Sequence, residues 1–185
     1  MKTKTETKLN ETFTSLKDAF SWKNTMQASK IEKIIVSTGI GRVRKDGQRV
    51  ELIQDRLAKI TGQKPSPRKA RQSIASFKLR EGEVIGFAAT LRGKRMLYFF
   101  DRLIHVAIPR MRDFRGISRT SVDEMGNLTI GIKEHTIFPE TPDENLQDVF
   151  SLAVTVVTSA SNHDEAIAFF EHLGVPFTNE KNDSN

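Results

Sequence analysis

"EVIGFAATLR", residues 83–92, alternates in a way that decides the fold. Ile85, Phe87, Ala89 and Leu91 fall on one side of an extended chain, and Gly86, Ala88, Thr90 and Arg92 on the other. "NLTIGIKE" (127–134) repeats the pattern: Leu128, Ile130 and Ile132 oppose Asn127, Thr129, Gly131 and Lys133. In "KIEKIIVST" (30–38), Ile34 and Val36 oppose Lys33 and Ser37, although Ile31 and Ile35 share the polar side. These strands predict a sheet with one apolar face, and one face that is small, hydroxylic and cationic. An ordinary solvated sheet face is the simpler reading. Such faces usually carry long side chains, however, and Gly86, Ala88 and Gly131 predict an uncovered backbone on which something large lies flat.

Outward from these strands, Leu9, Phe13, Leu16 and Phe20 share a helical stripe and predict a helix over 8–20. Val50, Ile53, Leu57 and Ile60 predict a second helix over 48–61, stopped by Gly62. Pro65 and Pro67 limit "QKPSPRKA" to extended or edge structure. A third helix is predicted over 93–108, with Met96, Phe100, Leu103, Ala107 and Ile108 inward, and a stop at Pro109. Residues 110–126 read as irregular, 152–159 as a strand and 163–173 as a helix. The ends, about seven residues at the start and eight to twelve at the finish, are expected to fray. Strands and helices mix without a βαβ rhythm. The fold class is α+β: one domain over 1–185, a largely antiparallel sheet with helices on its apolar face, and a long basic loop.

The 185 residues suffice for a real core. There is no cysteine, which excludes disulfides and thiolate zinc sites. "MKTKTETKLNETF" has no apolar signal region, and "MLYFFDRLIHVAI" (96–108) is too short and too charged to span a membrane. A cytoplasmic protein is expected. The net charge of +6 hides an asymmetry: residues 64–119 hold 14 Lys+Arg against 4 Asp+Glu, and residues 120–185 hold 2 against 12. The basic block suggests a polyanion and the acidic block a basic protein, unless both are merely solvated faces.

Chemistry of other kinds finds little support. The four histidines lack metal-ligand spacing, so no metal site is expected. No G-x-S-x-G is present. "GIGRVR" (39–44) has Arg44 where a dinucleotide loop needs its third glycine, and "RGKRM" (92–96) lacks the rest of a phosphate-binding loop. Neither catalytic residues nor a cofactor are expected. Nucleic-acid binding has all its parts. In "KARQSIASFKLREGE" (69–83), Lys69, Arg71, Lys78 and Arg80 surround Phe77, and Arg110, Arg112, Arg115 and Arg119 surround Phe114. Cations neutralise phosphates, and aromatics stack on bases. The alternative for Phe77 is a buried anchor that holds the loop to the body.

"GQKPSPRKARQSIASFKLREGEVIGFAATLRGKRM" (62–96) closely resembles the bacterial large-subunit ribosomal protein five, the 5S rRNA-binding protein of the central protuberance. "NTMQASKIEKI" (24–34), "GIG" (39–41), "IPRMRDFRGIS" (108–118), "GNLTIGIKEHTIFPE" (126–140) and "PF" (176–177) support it in order, over residues 8 to 177. The resemblance implies no catalysis. It implies binding to 5S rRNA, its attachment to the large subunit, and contact with the 23S-type rRNA and neighbouring central-protuberance proteins. Its 5S-binding residues match Gln63, Phe77 and Thr90, and a fourth, usually asparagine, falls on Ser37. Lys33, Arg92, Asn24 and Gln27 extend that set. The loop, with Lys69, Arg71, Gln72, Ser73, Lys78 and Arg80, would reach P-site tRNA. Arg110, Arg112 and Arg115 are candidates for other rRNA contacts. Glu140, Asp143, Glu144 and Asp148, in a segment (138–148) expected to be exposed and extended, would meet small-subunit protein thirteen in an intersubunit bridge. Two departures stand out: Ser37 shortens one polar contact, and Ser29, where the family usually has proline, is expected to loosen the start of the first strand. "SVDEMGN" (121–127) is more acidic than usual and a poor candidate for RNA contact. The alternative function is an RNA-binding regulator working off the ribosome.

Overall fold

Alternation is what the strands do. In the computed structural model, which describes residues 4–41, 43–112, 114–141 and 149–178, β4 (Leu128–Ile132) buries every second residue and exposes Thr129 and Gly131. β5 (Leu152–Thr158) buries Leu152, Val154, Val156 and Thr158. β1 (Ile31–Gly39) buries Ile34 and Val36 completely, while Lys33, Ile35 and Ser37 are half-exposed. With β2 (Ser66–Lys69) and β3 (Val84–Leu91), these form a five-stranded sheet ordered β2-β3-β1-β5-β4.

β2 pairs antiparallel with β3, Ser66 opposite Ala88. Lys30 and Ser159 bond at one end of β1, and the Thr38 hydroxyl donates to the Ser151 carbonyl at 2.7 Å near the other, so β1 and β5 also run antiparallel. Thr129 faces Thr155 at 3.2 Å between β4 and β5. β2 lies at a sheet edge with all four residues exposed, as its proline requires. The α+β class is borne out.

The helices are α1 (Lys4–Phe20), α2 (Gly47–Thr61), α3 (Gly93–Arg102) and α4 (His163–Leu173). The chain divides into two compact units, one of residues 1–34, 92–130 and 155–185, the other of 35–91 and 131–154. In the first, α1 packs on α3 and α4. Its stripe of Leu9, Phe13, Leu16 and Phe20 is only half-buried, while Thr5 and Thr12 are buried. The helix begins earlier than the stripe suggests because Thr5 donates to Asp101 Oδ1 from its amide (3.3 Å) and its hydroxyl (3.0 Å). In the second unit, α2 packs on β3. Asp46 caps it by accepting from the Arg49 amide, and Gly62 ends it at φ 66.

Five expectations need correction. The helix read over 93–108 is α-helical only to Arg102, then widens to a π turn over Leu103–Ala107 and tightens to a 3₁₀ turn at Ile108–Arg110. Pro109 lacks the N–H that an α-helix needs there, and the Ile108 amide bonds instead to the Leu103 carbonyl. All five residues expected inward are buried regardless.

Gly86 and Ala88 are not uncovered: both are buried. A Cβ on Gly86 would lie 2.5 Å from the Thr38 carbonyl oxygen, so this glycine permits a close backbone approach. Gly131 is exposed, with open space where its Cβ would be.

The segment from 138 is not simply exposed, since Phe138 and Thr141 are fully buried. Nor do residues 174–178 fray; 179–185 lie outside the described residues. Val175 is buried, Ile117 pairs with Phe177, and Gly116 at φ 112 lies so close to Thr178 that no side chain fits.

Ser29 does not loosen the start of β1. It is 1% exposed, and its hydroxyl bonds to Oε1 of the buried Glu165, whose Oε2 accepts from the Ser161 amide at 3.2 Å. Proline could not supply that donor. Ser29→Ala is therefore expected to destabilise the fold by about 1–3 kcal/mol, because it strips a buried carboxylate of a partner. A denaturant midpoint unchanged by this substitution would show that the bond contributes nothing.

Candidate nucleic-acid interface

The basic loop of 70–82 is a closed hairpin. The Ala70 amide donates to the Glu83 carbonyl (2.8 Å), and the Gly82 amide to the Ala70 carbonyl (3.0 Å). Ile74 and Leu79 exchange backbone bonds of 3.0 and 3.1 Å, and the Glu81 amide donates to the Ser73 hydroxyl (2.9 Å). Ala75–Phe77 forms one 3₁₀ turn, ended by Lys78 in the left-handed region at φ 50. These bonds close the hairpin on its own backbone.

Phe77 is 70% exposed at its tip. The buried-anchor alternative is thereby excluded. Lys69, Arg71, Gln72, Ser73, Lys78 and Arg80 are all exposed too. A bare aromatic among cations, on a preformed hairpin, suits stacking on a base beside phosphates.

In the same unit, the Gln63 Nε2 donates to the Thr90 carbonyl at 3.4 Å, which brings two of the selected residues together. Both side chains are half-exposed. Ser37 lines a shallow depression with Gly39, Gly131, Lys133 and Ala153. Gly131 leaves open space where its Cβ would be, and Lys133 adds a cation to the lining.

In the other unit, Asn24 and Gln27 cap each other's turn. Asn24 Oδ1 accepts from the Met26 amide (3.2 Å), and Gln27 Oε1 accepts from the Lys23 (2.7 Å) and Asn24 (3.1 Å) amides. Both side chains are exposed and have their oxygens engaged, which leaves their N–H₂ donors for an acceptor-rich ligand such as phosphate. Arg92 is exposed just beyond β3, and Lys33 is half-exposed on β1.

Arg110, Arg112 and Arg115 are exposed. Arg119 is not equivalent to them: its Nη2 pairs with Glu171 Oε1 at 2.8 Å.

The acidic end shows less. Glu140 is half-buried, and Asp143, Glu144 and Asp148 lie outside the described residues. The 121–127 turn keeps its charge to itself. Burial pushes the Asp123 carboxyl up, but hydrogen bonds from the Asn127 amide and side chain and from the Met125 amide, with His163 nearby, hold it below the usual range. A depressed carboxylate favours the folded turn above its ordinary pKa, and that contribution fades as pH falls through the lower value.

Sequence reasoning missed Arg44. Its Nη2 donates to the carbonyls of Phe77 (3.0 Å) and Lys78 (2.6 Å), and its Nε pairs with Glu83 Oε1 (3.2 Å). The only signal was its place in a glycine turn where a dinucleotide loop would forbid it.

Among the described residues, no group of three or more His, Asp or Glu could hold a metal ion, and no helix is long and apolar enough to cross a membrane.

Comparison with known proteins follows the same lines. Residues 24–80 match the family model of ribosomal protein L5, and residues 84–177 match the model of that ribosomal family's C-terminus. The large ribosomal subunit protein uL5 of Anaeromyxobacter sp. (strain Fw109-5) is 48% identical over 154 residues, 83% of this chain and 86% of that protein. Its namesake in Trichlorobacter lovleyi is 45% identical over 170 residues, 92% and 95% of the two chains. That of Mycoplasma mycoides subsp. mycoides SC is 47% identical over 157 residues, 85% and 87%. Two family models that together cover most of the sequence, and relatives of this identity matched nearly end to end, establish that the chain belongs to the ribosomal protein L5 family.

Proposed function

We propose that this chain is a structural constituent of the large ribosomal subunit that binds 5S rRNA and helps attach it there. It is not an enzyme. The observation that carries the reading is the hairpin: an aromatic 70% exposed at the tip of a hydrogen-bonded, cation-ringed loop has no core to serve. Gln63 and Thr90, the depression beside Ser37, the donors of Asn24 and Gln27, and the charges of Lys33 and Arg92 supply the polar contacts.

In this reading the cations of the hairpin also reach P-site tRNA. Arg110, Arg112 and Arg115 touch the 23S-type rRNA, and the acidic last third meets small-subunit protein thirteen. Family membership and the excess of carboxylates over cations in residues 120–185 support these roles. The site of action is the cytoplasmic ribosome.

Thr90→Val tests the sheet face. It keeps the shape and removes one hydroxyl, so 5S rRNA binding is expected to weaken by about 0.5–1.5 kcal/mol with an unchanged unfolding midpoint. Undiminished affinity would remove Thr90 from the interface. Reversing Glu140, Asp143 and Glu144 to lysine tests the bridge. It should leave 5S binding intact and impair association with small subunits at low magnesium. If 5S binding falls instead while association is normal, the acidic segment serves the RNA-binding fold.

A further inference from the structure

Arg44 lies outside the set chosen for RNA contact, and its side chain is only 12% exposed. One guanidinium ties three points of the hairpin. Nη2 donates to the Phe77 and Lys78 carbonyls, and Nε pairs with Glu83, whose other oxygen accepts from the Arg80 amide at 3.3 Å. The first two carbonyls belong to the exposed aromatic and to the left-handed residue after it, which is the tip that meets RNA in the proposed function. A left-handed lysine is disfavoured in a free chain, and here its carbonyl and that of Phe77 share one donor group in Arg44. The planar fork of arginine supplies donors in several directions from a single fixed group.

We propose that Arg44 is a positioning residue: a clamp, reaching from the turn before α2, that presents the hairpin tip to RNA already in its binding shape. The inference rests on the proposed function and deepens it. Its guanidinium faces the protein backbone and not the solvent, so it does not neutralise a phosphate. Its effect on binding comes through preorganisation, because a tip ordered beforehand need not be ordered on contact.

The two roles separate in salt. Loss of a phosphate contact lowers the slope of log affinity against log salt by nearly one, whereas loss of preorganisation lowers affinity and leaves the slope alone. The test uses Arg44→Met in the full chain, with Arg44→Lys as a second variant that keeps the charge but not the fork. Amide exchange at Ile74 and Leu79 is measured in the free protein, and 5S rRNA affinity across a salt series.

The clamp predicts exchange faster by about tenfold in both variants. It also predicts affinity weaker by about three- to tenfold with an unchanged slope. Unchanged exchange overturns the clamp. Faster exchange with unchanged affinity overturns its role in presentation. A slope reduced by about one in Arg44→Met but not in Arg44→Lys makes Arg44 a phosphate contact and overturns positioning. If the unaltered protein binds 5S rRNA no better than an unrelated RNA of equal length, the functional reading fails and presentation with it, while the exchange result still judges the clamp by itself.

Discussion

Ile34→Ala is expected to lower the unfolding free energy by about 2–5 kcal/mol. Ile34 is 0% exposed on β1, which lies in the middle of the sheet order, with β3 and β5 as its neighbours. Removing its branched side chain leaves a cavity that a paired strand cannot collapse around. For a chain of this length each kcal/mol shifts the melting temperature by about 2–4 °C. 5S rRNA binding by the remaining folded protein should be unaffected, since Ile34 points away from the polar side that carries Lys33 and Ser37. A melting temperature equal to that of the unaltered protein would mean that the two faces of β1 are reversed.

The second large effect is in salt. Residues 64–119 carry 14 Lys+Arg against 4 Asp+Glu, and the hairpin cations are exposed. If several of them displace counterions from RNA, log affinity falls against log salt by about 0.7–0.9 for each phosphate neutralised. Five such contacts give a slope of about −3.5 to −4.5, hence a loss of two orders of magnitude or more between about 50 and 200 mM salt. A slope near zero in filter binding or titration calorimetry would refute the electrostatic account of the basic block.

The sheet was legible because a strand's period of two leaves a mark on every second residue. β4 buries the residues that the pattern marked, and β5 lies where a strand was read. α2 was legible from its apolar spacing and from Gly62, whose left-handed conformation matches the stop it was read as. What escaped was set by partners remote in sequence. Ser29 looked like a weakened start to β1, yet its hydroxyl meets a carboxylate 136 residues away. Gly86 looked like open surface, yet its missing side chain accommodates the carbonyl of Thr38. Composition cannot tell a glycine that exposes backbone from one that lets two backbones meet.

The candidate site divides in the same way. The cations and Phe77 were legible as residue types, and the structure decided between a tip and an anchor by leaving Phe77 bare. Arg44 was illegible because it bonds to carbonyls 33 and 34 positions on, and any residue offers a carbonyl. Asn24 and Gln27 were chosen from a motif. Their spacing also encodes a capping pair, which fixes which half of each amide faces outward.

Sedimentation of the tagged chain from a gently prepared lysate tests the central claim most directly. The account predicts that the chain migrates with large subunits at low salt, and that when salt strips it from them it leaves together with 5S rRNA. Free protein at the top of the gradient, with 5S rRNA retained on intact large subunits, would contradict it and favour an RNA-binding regulator that works off the ribosome.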